Sequence, residues 1–136
     1  MTTQFVPGSM SATEAEDAAY KQSLHTSITD QTRFLLDTIG PRVTAASLGL
    51  ADARPLKLWL TGDVGPKSAV VGERLRVVFR LVYSIAGMYS GATAATFLRS
   101  ANPQLDDQSP LMLLREKPIE EVEAQIISAT RALLEG

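Results

Sequence analysis

Residues 68–89 read SAVVGERLRVVFRLVYSIAGMY. Val71, Leu75, Val78, Val82, Ile85 and Tyr89 recur at intervals of three and four, the period of a helix with one face turned inward. Phe79 and Ala86 widen that face, and Glu73, Arg74, Arg76 and Arg80 fall mostly opposite it. The spacing predicts one long helix over Ser68–Tyr89. A face this wide in so small a chain could also serve as a dimer seam.

Downstream, Gly87 and Gly91 bracket the end of that helix, and Ser90 can cap a short one over Ala92–Arg99. Ser100–Pro103 reads as a turn. Ser109-Pro110 places a capping hydroxyl before a proline at the first helical position, so Pro110–Arg115 starts another helix. Lys117-Pro118 breaks it. A last helix is expected from Pro118 to Leu134, with acids at Glu120, Glu121 and Glu123 near its positive end and a stripe of Val122, Ile126, Ala129 and Leu133. Upstream, Gly62–Pro66 is a loop, and a helix carrying Leu56, Leu58, Trp59 and Leu60 begins at Pro55. A short helix spans Arg42–Leu48. Another begins near Ser27, where Ser27 and Asp30 have capping-box spacing, and stops at Gly40-Pro41. Residues 1–26 hold few large apolar side chains and read as a flexible lead with at most a frayed helix around Ala12–Gln22. No strand pattern emerges, so the expected fold class is all-α. Three parts are anticipated: a lead (1–26), a helix-turn-helix-like bundle with its long linking helix (27–89), and a smaller helical region (90–136).

The whole chain has 136 residues, 45% hydrophobic and 21% charged, and no cysteine. That composition suits one soluble globular domain and excludes a disulfide scaffold or a thiolate metal site. No apolar run approaches the roughly 18 residues of a membrane span, and the first residues lack a signal-peptide pattern. A cytoplasmic protein without membrane partners is expected. The net charge of −2 hides a gradient: residues 1–41 carry −3, residues 42–101 carry +5, and residues 102–136 carry −4. Two surfaces with different partners would produce it, and so would chance along a short chain.

Catalytic chemistry has little to stand on. The lone His25 lies in the lead, so neither a zinc site nor a histidine-based triad can be assembled. Phosphate-loop and dinucleotide fingerprints are missing. Asp106 and Asp107 are neighbours in a loop and would point apart. A protein with no enzymatic activity and no cofactor is expected.

Two constellations remain. Val43–Gly62 has the order of a helix-turn-helix, with Ala45 and Gly49 spaced for close packing. Such a motif would turn Arg54, Leu56 and Lys57 toward a major groove and let Lys67 and Arg74 reach phosphates. A plain helical pair with Leu56 and Trp59 in the core explains the same residues.

The second is Phe97–Arg115, FLRSANPQLDDQSPLMLLR. Phe97-Leu98, then Asn102-Pro103-Gln104-Leu105, then Ser109-Pro110-Leu111-Met112-Leu113-Leu114 resembles the toxin-binding domain of the Xre/MbcA/ParS antitoxin family in order and spacing. Upstream, Trp59-Leu60-Thr61-Gly62 is similar to the W-x-x-G that closes that family's helix-turn-helix, and the long helix matches its linking helix. The resemblance covers about Gln31–Leu134. Phe97 stands where many members have Trp, and Asp106-Asp107 replace a spacer often rich in glycine. Independently of the family, the two X-Pro turns hold Leu105 and Leu111 with little loop entropy, which suits a packed corner.

The resemblance implies the antitoxin of a type II pair, neutralising a RES-domain, NAD-degrading toxin by direct binding at or near its active site. It implies Trp59, Gly62, Phe97, Asn102, Pro103, Leu105, Ser109, Pro110, Leu111 and Leu114 as the structural motif. The contact surface would come from the C-terminal region, with Arg115, Glu116, Lys117, Glu120, Glu123, Gln125, Arg131 and Glu135 as candidates. The alternative is a helix-turn-helix transcriptional (auto)regulator on operator DNA, with Arg54, Lys57, Lys67 and Arg74 as its cations. A homodimer or higher toxin–antitoxin assembly is compatible with either.

Overall fold

The computed structural model describes residues 5–136. Its helices are α1 (Ala12–His25), α2 (Ile28–Ser47), α3 (Arg54–Trp59), α4 (Ala69–Met88), α5 (Gly91–Arg99), α6 (Pro110–Glu116) and α7 (Ile119–Glu135), with a single 3-10 turn at Pro103–Leu105. The fold is all-α; among the described residues the only β-type pairing is an isolated bridge between Asn102 and Gln108.

α4 is the axis of the molecule. Ser68 caps it by accepting from the N–H groups of Val70 and Val71. The sequence is rich in Val and Ile, which disfavour a helix by a few tenths of a kcal/mol each. Burial outweighs that cost, because each fully buried Leu, Val or Phe contributes about 1.5–3 kcal/mol. Leu75, Val77, Val78, Phe79, Leu81, Val82 and Ile85 are all buried. They lie on most sides of the helix, since α1, α2, α5 and α7 pack around it. This corrects the expectation of a dimer seam: the wide apolar face of α4 is spent within the chain. Tyr89, expected in that face, is 37% exposed and donates its hydroxyl to the Leu133 carbonyl at 3.0 Å.

The flexible lead is corrected as well. α1 opens with a complete capping box: the Ser11 hydroxyl accepts from Glu14 N–H, and the Glu14 carboxylate accepts from Ser11 N–H. Ala15 and Ala19 are buried, and the helix lies along α4. Residues 1–4 of the expected lead lie outside the described residues. At the next helix start, Ser27 caps Asp30 N–H, but Asp30, one methylene shorter than glutamate, holds Arg33 at 2.8 Å and does not close the box.

α2 runs through the anticipated Gly40-Pro41 stop as a kink. Gly40 sits at φ 85°, ψ 166°, so the two short helices expected from the sequence abut as the halves of α2. Its second half and α3 form the helical pair expected for Val43–Gly62. Leu56 and Trp59 are buried in the common core, whereas Leu58 is 57% exposed. At the other corner, Ser90 caps α5, and its first residue is glycine because a Cβ there would strike the Thr38 carbonyl oxygen of α2. One cluster of buried apolar side chains extends from Leu35 to Leu134. The segments read apart at residues 89 and 90 therefore share a core.

Candidate functional site: the α4–α7 groove

α7 buries Ile119, Val122, Ile126, Ala129 and Leu134 against the rest of the molecule. Leu134 takes the inward place that the sequence pattern assigned to Leu133, which is half-buried. One flank of α7 borders an open groove of about 890 Å³ whose far wall is the first half of α4. Ile119, Ala124 and Ile127 supply apolar lining, and Glu73, Arg76, Glu120, Glu123 and Arg131 supply charge. Arg76 reaches Glu123 at 3.4 Å, and Arg131 reaches Glu16 of α1 at 2.9 Å. Both arginines are thus committed to partners within the chain. Glu73 and Glu120 have no ion pair among the described residues, so the groove keeps an acidic excess. An arrangement with apolar lining and free carboxylates at its edge can bind a partner side chain of complementary charge.

Of the side chains implied as toxin contacts, Glu120, Glu123 and Arg131 meet in this groove. Lys117, just after α6, and Gln125 on α7 line a second depression of about 320 Å³ shared with Leu105, Asp106 and Gln108. Glu116 and Glu135 are exposed at the ends of α6 and α7. Arg115 turns back into the fold, donating to the Ala46 carbonyl at 3.0 Å. Glu73, Arg76, Ala124, Ile127 and Ser128 complete the groove and were not singled out from the sequence. For the α7 residues a signal was present: positions 120, 124, 127 and 131 recur at helical spacing opposite the buried stripe. Nothing local assigns Glu73 and Arg76 to the same groove.

The DNA candidates fare differently. Lys57 and Lys67 are exposed. Arg54 forms a two-point clamp on Asp52, with Nε and Nη2 at 3.0 and 2.7 Å from its two carboxylate oxygens. This hydrogen bonding holds the Asp52 carboxyl down to about 2. Arg74, expected to face phosphate, points inward: it donates to the carbonyls of Leu48 at 3.3 Å and Arg115 at 3.4 Å. The reason is electrostatic. α2 and α6 end beside each other, their last carbonyls lack intrahelical partners, and Arg74 and Arg115 supply the donors and positive charge.

The structural motif folds as a rigid corner. Asn102 Oδ1 accepts from Gln104 N–H at 2.9 Å, while the Asn102 carbonyl takes the N–H groups of Leu105 and Asp107. Pro103 opens the 3-10 turn, and Leu105 is buried. Ser109 caps α6 through Met112 N–H, and Pro110 occupies its first turn. Leu114 is fully buried, and Leu111 is half-buried. Phe97, also half-buried, lines an open depression of about 430 Å³ together with Leu133. Gly62 takes φ 85° three residues after the buried Trp59, whose carbonyl accepts its N–H at 3.3 Å; that left-handed turn accounts for a glycine at this position.

His25 is exposed at the end of α1. Among the described residues, no three His, Cys, Asp or Glu side chains are grouped so as to hold a metal ion, and no helix is long and apolar enough to cross a membrane. No family model matches the chain, and neither curated proteins nor solved structures yield a significant match.

Proposed function

We propose that this chain is the antitoxin of a type II toxin–antitoxin pair and that it neutralises a RES-domain, NAD-degrading toxin by binding at or near its active site. The motif block Asn102–Leu114 supports the family reading. The observation that carries the choice of surface is the α4–α7 groove, where Glu120, Glu123 and Arg131 of α7 stand together and Glu73 and Glu120 have no ion pair among the described residues. In this reading the protein acts as a plug, without chemistry of its own.

The test is co-expression with the neighbouring open reading frame, followed by pull-down, a growth assay and an NAD assay. A stable complex that restores growth and preserves NAD is expected. Absence of both toxicity and complex would overturn the antitoxin reading. The surface is tested separately with Glu120→Lys and Ala124→Arg, whose side chains are exposed. Each should weaken the complex by about 2 kcal/mol or more, roughly 30-fold, if it lies at the centre of the contact. Unchanged affinity would move the contact elsewhere.

Operator binding as a helix-turn-helix (auto)regulator is the second reading, favoured by the exposed Lys57 on α3 and Lys67 in the loop after it. The Asp52 clamp on Arg54 and the inward turn of Arg74 count against it. A homodimer or larger toxin–antitoxin assembly would have to use a surface other than the covered face of α4.

A further inference from the structure

The segment Phe5–Met10 runs along the C-terminal half of α4 as a strap. Its Phe5 ring meets Phe34 of α2 edge-on at 5.1 Å between centroids and Tyr83 of α4 at 4.8 Å. Phe34 and Tyr83 in turn contact Phe79, which is buried. Farther along, the N–H groups of Gly8 and Met10 donate to the carbonyls of Ala86 and Gly87, both at 3.0 Å. These are carbonyls of α4's last turn, where the helix has no further N–H to offer them. Gly87 leaves the space that the Met10 thioether fills, with Sδ 3.0 Å from where a Cβ would stand.

We propose that Phe5–Met10 is an in-cis strap that caps the end of α4 and opens independently of the helical core, baring an aromatic cleft between α2 and α4. Among the described residues the attachments are few: one ring, one thioether and two main-chain hydrogen bonds. Val6, Pro7, Gly8 and Ser9 between them are exposed. Val82, Ile85 and Ala86 are buried, and α1, α2, α5 and α7 all pack on α4. An open strap leaves Phe34 and Tyr83 without their covering ring and returns two carbonyls to water.

Amide hydrogen exchange of the full chain tests the proposal. Protection factors at Gly8 and Met10 should be measurable yet at least roughly tenfold below those of Val82 and Ile85 in α4, because local opening needs less free energy than global unfolding. Phe5→Ala should lower protection at Gly8 and Met10 by a further several-fold and leave Val82 and Ile85 unchanged. Gly87→Ala, which crowds Met10, should do the same from the other end of the strap. Equal protection at the strap and in α4 would overturn independent opening, as would a parallel loss in α4 in either variant. Protection at Gly8 and Met10 that rises with protein concentration would overturn the in-cis attachment in favour of exchange between copies. None of these outcomes depends on whether a toxin is bound.

Discussion

Asp106 and Asp107 sit at φ 54° and 63°, two consecutive left-handed residues with a side chain. Aspartate tolerates that region better than most residues, yet glycine is free of the steric cost. Asp107→Gly is expected to raise stability by up to about 1 kcal/mol, read as a higher urea midpoint with an unchanged slope. Gly91 is the opposite case, since a methyl group there meets the Thr38 carbonyl. Gly91→Ala should cost about 1–3 kcal/mol as α5 is pushed from α2. At Asp52 the folded carboxyl is held at about 2, below its ordinary 3.8, chiefly by the Arg54 side chain. A depressed carboxylate favours the folded state above its unfolded pKa, and that contribution fades as pH falls from near 4 toward 2. A carboxyl-carbon NMR titration should place Asp52 at about 2 in the native chain and higher in Arg54→Ala, yet still below 3.8 because the N–H of residue 54 keeps its bond to the carboxylate; no change between the two would dismiss the clamp.

The start and stop signals of the elements were largely legible. Ser68, Ser90 and Ser109 cap the helices expected of them, because an N-cap is decided by bonds within a few residues of the chain. From the sequence α1 reads as at most a frayed helix around Ala12–Gln22, although its capping box, Ser11 to Glu14, stands there. The lack of large apolar side chains in residues 1–26 argues for a flexible lead. Ala15 and Ala19 suffice, because small residues bring a helix close to α4. Ser11→Ala should destabilise by about 1 kcal/mol, measured by chemical denaturation. A flexible lead would show no effect. The reading of α4 as one-sided failed for a related reason. Periodicity identifies the most apolar face, but Val77 and Leu81 off that face are buried too.

Across the whole molecule, α7 is both candidate contact surface and core. Ile126 and Leu134 are almost fully buried, and the helix lies directly on α4. Deleting residues 118–136 is therefore expected to unfold the chain, with far-UV circular dichroism losing more helix than the deleted segment contained. A native-like truncate would show that α7 is a detachable arm. Surface substitutions such as Glu120→Lys separate binding from folding where the truncation does not. The all-α class, the helix order, the kink at Gly40-Pro41 and the stiff Asn-Pro and Ser-Pro corner were determined by the sequence itself, since each depends on backbone geometry and contacts between near neighbours. Tertiary structure alone decided that Arg74 and Arg115 serve helix ends, that Arg76 and Glu73 join Glu120 and Arg131 in one groove, and that Phe5 covers Phe34 and Tyr83. A long polar or aromatic side chain can satisfy itself against whichever element comes within reach, and that proximity is set by the packing of helices far apart in the chain.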